Sequence, residues 1–406
     1  MNILFLTLGR FEDLNEAGIY TDLLRKFRDE GHNVYVVSPR EKKTGLETSY
    51  DKSDGINVLK VKIGNIKKAR LIEKGISTFT LQNLYIKSIK KYLSEISFDL
   101  VLYTTPPITI EKVVKFVKNR DNAITYLLLK DIFPQNAVDL GMINKSGIMH
   151  SYFKMIEKKL YTISDYIGTM SPQNTKYLLS ENTYVNADKV NEVPNSITPI
   201  NVKISEQQKL DILNKYAIPD HKVLYIYGGN LGKPQSIDNL IRCILANEDK
   251  ENSFILVIGN GTEYNKLHTF IKEKNIINSK LLKFLPKEDY ELVVNCADVG
   301  LIFLDEHFTI PNFPSRLLSY LQAGIPIIAA TDNSTDIGKI AVENKFGLWN
   351  LTSDVDSFIN NMNTLNNEKL RKEMGKNGNV FLKENYTSEQ SYKIIMNTID
   401  RGQIDV

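Results

Sequence analysis

Three loops in the second half of the chain have residue types suited to binding a phosphate. The first, Gly228-Gly229-Asn230-Leu231-Gly232-Lys233, directly follows an apolar run. Glycines let backbone amides approach an anion, the start of a following helix adds partial positive charge, and Lys233 adds a full charge. The spacing matches neither the Walker pattern nor G-x-G-x-x-G, so a tight strand-to-helix turn without a ligand is the alternative.

The other two loops, Gly259-Asn260-Gly261 and Phe284-Leu285-Pro286, also follow apolar runs. In an open parallel sheet, ligands bind beyond the carboxyl ends of the strands. Three loops of this composition in one half of the chain favour a nucleotide diphosphate, although each one alone is also explained as a turn.

The most informative segment is Thr309-Ile310-Pro311-Asn312-Phe313-Pro314-Ser315-Arg316, which stands before a helical pattern at 317–323. Its prolines stiffen a loop ahead of a helix N-terminus, so amides remain free for an anion or for sugar hydroxyls. Arg316 is a candidate clamp because a guanidinium can hold phosphate oxygens with two parallel hydrogen bonds. A solvated arginine at a helix start is the alternative.

The elements that must position these loops are strands and helices in alternation. The chain has 406 residues with 42% apolar and 24% charged residues, which favours a globular protein of two or three domains. Apolar runs separated by helical patterns predict parallel sheets of the Rossmann type. The predicted strands are 3–8, 34–37, 58–63, 100–104, 123–129, 166–170 and 190–193, then 223–227, 254–258, 281–285, 299–304, 325–330 and 346–349.

A polar stretch at 196–222, which contains Pro199 and Pro219, predicts the domain boundary. We therefore expect domains at 1–200 and 201–385, with a C-terminal helix in 386–406 that returns to the first domain. The two cysteines, Cys243 and Cys296, have no spacing typical of a disulfide framework or a zinc site.

Together these motifs resemble the retaining glycosyltransferases of family 4, and among them the bacterial O-antigen and capsule enzymes similar to L-fucosamine transferases. That resemblance implies an α/β fold of the GT-B class, with two Rossmann-like domains whose parallel sheets face each other across a cleft. It covers nearly the whole chain. The matching motifs are Gly31-His32-Asn33-Val34, Phe98-Asp99-Leu100-Val101, Lys130-Asp131-Ile132-Phe133-Pro134, Val193-Pro194-Asn195-Ser196, the 228–233 loop, Gly259-Asn260-Gly261, Ala297-Asp298-Val299 and Ala323-Gly324-Ile325-Pro326.

The resemblance also implies site residues. Lys233 and Arg316 would stabilise the departing diphosphate, and Asp131 would orient the acceptor or the sugar, with a helix cap as its alternative role. We expect Gly18 and Lys130 on the acceptor side. The expected donor-binding residues are Gly229, Asn230, Gly232, Gly259, Gly261, Phe284, Leu285, Asn312, Phe313, Pro314, Ser315 and Ser319.

The sequence departs from the family pattern at two places. Family members commonly carry a Glu-x7-Glu motif, and its two positions are Pro311 and Ser319 here, so both carboxylates are missing. The nearest candidates for the first carboxylate's role are Asp305, Glu306 and His307. A histidine often precedes the motif aspartate in the first half, and Lys130 takes that place.

For the reaction, the resemblance implies transfer of an N-acetylated amino sugar from a UDP-sugar to a polyprenyl-diphosphate-linked saccharide in O-antigen or capsule biosynthesis, without cofactor or metal. Asp354-Val355-Asp356 has the D-x-D spacing of some metal sites, but it precedes a helical pattern, so we predict a helix cap. Two alternatives stay open. A nucleotide-sugar epimerase of the same fold would need acid and base groups, and the missing carboxylates favour a non-catalytic sugar-nucleotide-binding subunit.

The first residues do not resemble a secretory signal, and the longest uncharged stretch, 317–331, is shorter than the ~20 residues of a membrane-spanning helix. We expect a cytoplasmic protein, peripheral on the inner face of the cell membrane, which it would contact through residues 62–93. There, basic residues accompany an amphipathic pattern that suits anionic lipid, and an ordinary sheet-covering helix is the alternative. We expect no binding of nucleic acid. The basic residues are Lys62, Lys67, Lys68, Arg70, Lys74, Lys87, Lys90 and Lys91.

Overall fold

The computed structural model describes residues 1–404 except 12, 67–70 and 203, and it leaves out the side chains of 71–76, 79, 403 and 404. The chain divides into two compact units, Met1–Thr198 with Ser388–Val406, and Pro199–Thr387. Within the described part, no helix is both long enough and apolar enough to cross a bilayer.

The described part of the first unit contains an eight-stranded sheet with the order β3-β4-β2-β1-β5-β6-β7-β8. Its strands are β1 (Asn2–Leu6), β2 (Asn33–Glu41), β3 (Ser49–Ser53), β4 (Ile56–Ile63), β5 (Leu100–Thr104), β6 (Ile124–Leu128), β7 (Tyr166–Thr169) and β8 (Val190–Glu192). Its helices up to the boundary are α1 (Ile19–Asp29), α2 (Leu71–Tyr92), α3 (Glu111–Asp121), α4 (Gln135–Asp139), α5 (Ile148–Ile163) and α6 (Pro172–Glu181).

The second unit contains a six-stranded parallel sheet with the order β11-β10-β9-β12-β13-β14. Its strands are β9 (Val223–Asn230), β10 (Ser253–Asn260), β11 (Ser279–Leu282), β12 (Val299–Phe303), β13 (Ile327–Thr331) and β14 (Gly347–Leu351). Its helices are α7 (Glu206–Lys215), α8 (Ile237–Ala246), α9 (Tyr264–Glu273), α10 (Lys287–Cys296), α11 (Arg316–Ala323), α12 (Ile337–Glu343), α13 (Val355–Thr364) and α14 (Glu368–Asn385).

Each apolar run predicted as a strand is a strand, because parallel strands covered on both faces need continuous apolar sequence. Every residue of β5, β12 and β13 is buried. Strand β3 was not predicted. Its sequence, Ser-Tyr-Asp-Lys-Ser, is polar and mostly exposed because β3 is an edge strand that pairs antiparallel with β4.

The last helix, α15 (Ser388–Ile404), belongs to the first unit, where Ile395 and Ile399 are buried in the core. The predicted cap at Asp354 is confirmed: its carboxylate accepts a hydrogen bond of 2.9 Å from the Ser357 amide at the start of α13. Among the described residues, no three His, Cys, Asp or Glu side chains form a group that could hold a metal ion.

The burial of helix α2 shows that one part of the membrane prediction for residues 62–93, the lipid-facing apolar side, is wrong. The apolar side that would face lipid is buried in the first unit, as the sheet-covering alternative requires, while the described lysines of the helix are exposed. Lys67, Lys68, Arg70 and the side chain of Lys74 lie outside the described residues. The buried side chains are Leu81, Tyr85, Ile89 and Leu93, and the exposed ones are Lys87, Lys90 and Lys91.

Candidate functional site

The glycines of the first two loops lie side by side at the ends of β9 and β10, where Gly229 pairs with Gly259. A Cβ atom at Gly259 would lie 2.0 Å from the Gly229 carbonyl oxygen, and one at Gly261 would lie 2.1 Å from the Leu231 carbonyl oxygen. Close backbone packing therefore requires glycine at both positions. This packing joins the ends of β9 and β10, whereas a simple turn in either loop would not need the other strand.

Replacing Gly259 by alanine is expected to lower the free energy of unfolding by about 3 kcal/mol, because the new Cβ overlaps backbone atoms that no rotamer change can move. For a unit of this size, Tm would fall by about 6 to 12 °C in differential scanning calorimetry. Gly232→Ala is the control, since its Cβ would meet the rotatable Asn230 side chain at 2.8 Å. Equal losses in the two variants would contradict the backbone-packing explanation.

Arg316 is the first residue of α11, and its guanidinium lies against the same glycines. The guanidinium carbon is 4.3 Å from the centroid of the Tyr227 ring. On the other side, a Cβ at Gly229, whose φ is +132°, would lie 3.2 Å from Arg316 Nη2. Nη1 is buried and has no hydrogen-bond partner among the described residues. The guanidinium therefore fills a narrow slot between the Tyr227 ring and Gly229. Its Nη1 group has no described acceptor.

Three tyrosines surround this slot, and the sequence did not single them out. Tyr227, Tyr290 and Tyr320 all lie close to the guanidinium, and burial raises the pKa of each phenol. The Gly228 amide donates to the Tyr320 hydroxyl over 3.1 Å. The rings fix the backbone at the end of β9 and hold the guanidinium in one orientation.

The loop after β9 is braced by a residue that the sequence motifs did not indicate, Gln235. Its Oε1 accepts hydrogen bonds from the Asn230 side-chain amide at 2.8 Å and from the Gly232 backbone amide at 3.2 Å. The Gly232 amide therefore already has an acceptor inside the loop. Lys233 is exposed, and it forms no ion pair with a described carboxylate.

The Asp305 backbone amide donates to the Pro234 carbonyl over 3.0 Å, which places Asp305 beside this loop. Its carboxylate lies 2.7 Å from His307 Nδ1, and this contact raises the pKa of the His307 imidazole. Of the three residues named as candidates for the missing carboxylate, Asp305 is thus the one that a backbone hydrogen bond attaches to the loop.

The loop ahead of α11 is held by both its backbone and one side chain. The Asn312 amide donates to Thr335 Oγ1 over 3.1 Å. Phe313, predicted to bind a donor, is buried with its ring packed edge-on against Tyr386 at 5.8 Å. The Phe313 side chain therefore holds the loop in place, so only the backbone of Phe313 is available to contact a ligand. Pro314 is half-buried, Ser315 is exposed, and Ser319 lies one turn after Ser315 in α11.

The third predicted loop follows β11, which pairs with β10 up to Leu282 beside Ile258. Phe284 is 82% exposed, whereas Leu285 is buried. Lys283 Nζ lies 5.4 Å from the Tyr264 ring centroid. An exposed phenyl ring therefore lies in the loop after β11, next to β10, which ends at Asn260.

In the first unit, Lys130 and Asp131 follow β6. Lys130 Nζ donates to the Val193 carbonyl over 2.9 Å, and burial lowers the pKa of its ammonium group to about 7. Burial raises the pKa of Asp131 to about 6, against the effect of a hydrogen bond from Asn136 Nδ2. Asp131 does not cap α4, whose N-cap is Pro134, so the helix-cap alternative fails.

Gly18 is the N-cap of α1, and its amide donates to Asp22 Oδ1 over 3.1 Å. That amide is therefore occupied by its own helix. The two residues that follow Gly18, Ile19 and Tyr20, line a small pocket together with Lys130. The fold thus brings the start of α1 close to Lys130, and the acceptor-side role of the two segments stays a prediction.

Residues 208–381, most of the second unit, match the family model described as glycosyl transferases group 1. A relative from Pseudomonas aeruginosa, the probable glycosyltransferase WbjE, is 23% identical over 83% of this chain and 82% of its own length.

Two solved structures share the fold. Sucrose-phosphate synthase from Thermosynechococcus elongatus has a TM-score of 0.75 and 14% identity, with complete coverage of both chains. HepE from Anabaena, solved in complex with UDP-glucose, has a TM-score of 0.69 and 13% identity over 99% of this chain and 100% of its own. The predicted α/β fold of the GT-B class is confirmed. Residues 208–381 are therefore similar to glycosyltransferases of group 1, and the chain shares the fold of the two solved structures.

Proposed function

We propose that this protein is a retaining, metal-independent glycosyltransferase that transfers an N-acetylated amino sugar from a UDP-sugar. The proposed acceptor is a polyprenyl-diphosphate-linked saccharide, and the proposed setting is O-antigen or capsule biosynthesis at the inner face of the cell membrane. The donor class is supported by the likeness to a structure solved with UDP-glucose.

The unpartnered Nη1 of Arg316 is the observation that carries this proposal. A guanidinium stays protonated at all physiological pH values, so burying one without a partner for each donor has a cost in free energy. An anion that accepts from Nη1 removes that cost. Because the slot lies against Gly229 at the ends of parallel strands, the expected anion is the donor diphosphate.

The chemistry needs positive charge more than proton transfer. When the bond between the sugar and the diphosphate breaks, negative charge grows on the leaving phosphate oxygen while the sugar carbon becomes cation-like. Groups already in place around the leaving oxygens stabilise this state without reorganisation. In this proposal Arg316 and Lys233 supply the charge, while Asn230 and the backbone of 312–315 bind the donor.

On the acceptor side we propose Asp131, with Lys130 beside it. A carboxyl with a pKa of about 6 is largely ionised at neutral pH and can accept a hydrogen bond from a sugar hydroxyl. Lys130 is fixed by its bond to the Val193 carbonyl. We propose that Ser319 bonds the ribose and that Phe284 and Leu285 border the base.

The proposal is tested by incubating the purified full chain with radiolabelled UDP-N-acetylamino sugars and a polyprenyl-diphosphate-linked saccharide. We expect label in the lipid fraction, release of UDP, and an unchanged rate in EDTA. The anomeric configuration of the product, read by NMR, should equal that of the donor.

Other outcomes point elsewhere. Isomerised donor with no labelled lipid would indicate an epimerase. Binding of UDP-sugar in calorimetry with no product from any donor and acceptor pair would indicate a sugar-nucleotide-binding subunit. Loss of transfer in EDTA would contradict metal independence.

A further inference from the structure

An apolar patch lies exposed in the first unit, at the turn between α4 and α5 and on the first turns of α5. Ile148 is 90% exposed, Met142 is 68% exposed and Met149 is 61% exposed, and Met155 is exposed further along α5. We define these four residues as the α5 patch. Large apolar side chains exposed as a group commonly mark a binding surface.

The patch is presented by a rigid support. On α5 it is followed by buried Ile156 and Leu160, and the Phe153 ring packs edge-on against Phe133 at 4.9 Å. In the preceding turn, Asn144 Oδ1 accepts from the Ser146 amide over 3.0 Å. Three of the four exposed side chains, Ile148, Met149 and Met155, therefore lie on a helix whose later residues are buried.

The charge around the patch is positive. The exposed lysines Lys145, Lys158 and Lys159 accompany it, and the sequence contains no carboxylate between Leu140 and Ile156. The adjacent Glu157 is buried and already paired with Lys154. Burial lowers the pKa of the His150 imidazole, and the charges of Lys154 and Lys145 lower it further. Both ammonium groups therefore lie near the start of α5.

We propose that the α5 patch docks on an anionic lipid bilayer, with Ile148 and Met149 inserted among the lipids and the lysines contacting the headgroups. Apolar side chains bordered by lysines are what such an interface binds, and each basic residue near the surface adds to the affinity. This site replaces the apolar side of α2, whose described residues Leu81, Tyr85 and Ile89 are buried.

A ring contact links α5 to the segment that carries the proposed acceptor residues. Phe133, two residues after Asp131, contacts Phe153 of α5. Docking here would hold Asp131 near the bilayer surface, where a lipid-linked acceptor resides. That link to the acceptor rests on the proposed function, whereas the docking itself does not.

Vesicle sedimentation without any sugar donor tests the docking, so its failure is distinguishable from failure of the proposed function. On vesicles of phosphatidylglycerol and phosphatidylcholine in equal parts, Ile148→Ser/Met149→Ser should lower the partition coefficient at least about tenfold. Lys145→Gln and Lys159→Gln should each lower it about fivefold, with the effect lost in high salt or on pure phosphatidylcholine. Thermal unfolding should be unchanged, because these side chains are exposed.

The controls are Ile277→Ser, an equally apolar side chain that is 77% exposed in the second unit, and Lys87→Gln/Lys90→Gln/Lys91→Gln in α2. Both should bind like the wild type. In addition, the fluorescence of Ile148→Trp, measured as a difference from the wild type, should shift to the blue on anionic vesicles, and that of Ile277→Trp should not.

Three results would overturn the proposal. One is a wild-type chain that does not bind anionic vesicles. A second is binding that survives Ile148→Ser/Met149→Ser or is lost in the α2 variant instead. The third is a dimer in light scattering that becomes a monomer in Ile148→Ser/Met149→Ser, which would assign the patch to a second copy of this chain.

Discussion

Arg316→Met is expected to lower kcat for sugar transfer by about 100-fold or more, while Tm stays unchanged or rises. Removing one preorganised donor from a developing oxyanion costs about 3 to 4 kcal/mol of transition-state stabilisation. Stability should not fall, because Nη1 of the half-buried Arg316 is buried without a described hydrogen-bond partner, and methionine removes that desolvated donor. The stacking on Tyr227 is lost, which limits the gain.

The measurement combines steady-state kinetics, UDP binding by calorimetry and thermal unfolding. Arg316→Lys is the matched variant: it keeps the charge but lacks the planar fork that fits between the Tyr227 ring and Gly229, so its activity should fall between methionine and wild type. Wild-type kcat in Arg316→Met would exclude the clamp. A large fall in Tm with normal UDP binding in the remaining folded protein would make the residue structural.

Lys233→Ala should lower kcat/KM for the UDP-sugar by about 30-fold, since a hydrogen bond to a charged group contributes about 1.5 to 3 kcal/mol. Lys233 is exposed on the loop that follows Gly232, and it has no ion pair with a described carboxylate to lose. Its removal therefore leaves the fold intact and takes away only the charge offered to the diphosphate. Because the group is exposed, added salt should slow the wild type more than the variant.

The control for this variant is Lys272→Ala, which removes another exposed lysine from the same unit, in the last turn of α9. It should leave kcat/KM unchanged at every salt concentration. If the two alanine variants behave alike, net charge and not position explains the effect, and Lys233 has no place in the diphosphate site.

The slot around Arg316 explains why we expect a larger loss of activity from replacing Arg316 than from replacing Lys233. Arg316 is held by a ring on one side and backbone on the other, so it is already oriented before a ligand arrives. Lys233 must still order its long side chain, which has a cost in conformational entropy. A fixed donor stabilises charge more than a mobile one of the same sign, so the larger loss is assigned to Arg316.

The proposed acceptor residues, Lys130 and Asp131, show how burial changes the pKa values of polar groups. Lys130 and Asp131 are neighbours in the chain, and burial moves the two pKa values toward each other, to about 7 and about 6. Neither group is held in its charged form by an opposite charge; the lysine bonds a carbonyl and the carboxyl bonds an amide. A histidine at position 130 would be smaller and would lose the bond to Val193.

The strands, the two-sheet α/β fold and the loops at the strand ends could be predicted from the order of the amino acids. It sufficed because a buried parallel strand needs an unbroken apolar run, and because glycine, proline and lysine mark a loop within a few residues. Strand β3 was missed for the same reason: a polar edge strand has no such run.

The surroundings of each candidate residue depend on contacts between distant parts of the chain. The slot of Arg316 is made by tyrosines from β9, α10 and α11, and one of its hydrogen bonds joins Tyr320 to Ile226, 94 positions apart. Whether an amphipathic helix such as α2 turns its apolar side to a sheet or to lipid, and whether the start of α5 stays uncovered, likewise depends on distant neighbours. Whether a side chain is buried depends on contacts between remote parts of the chain, and a local sequence pattern does not show these contacts.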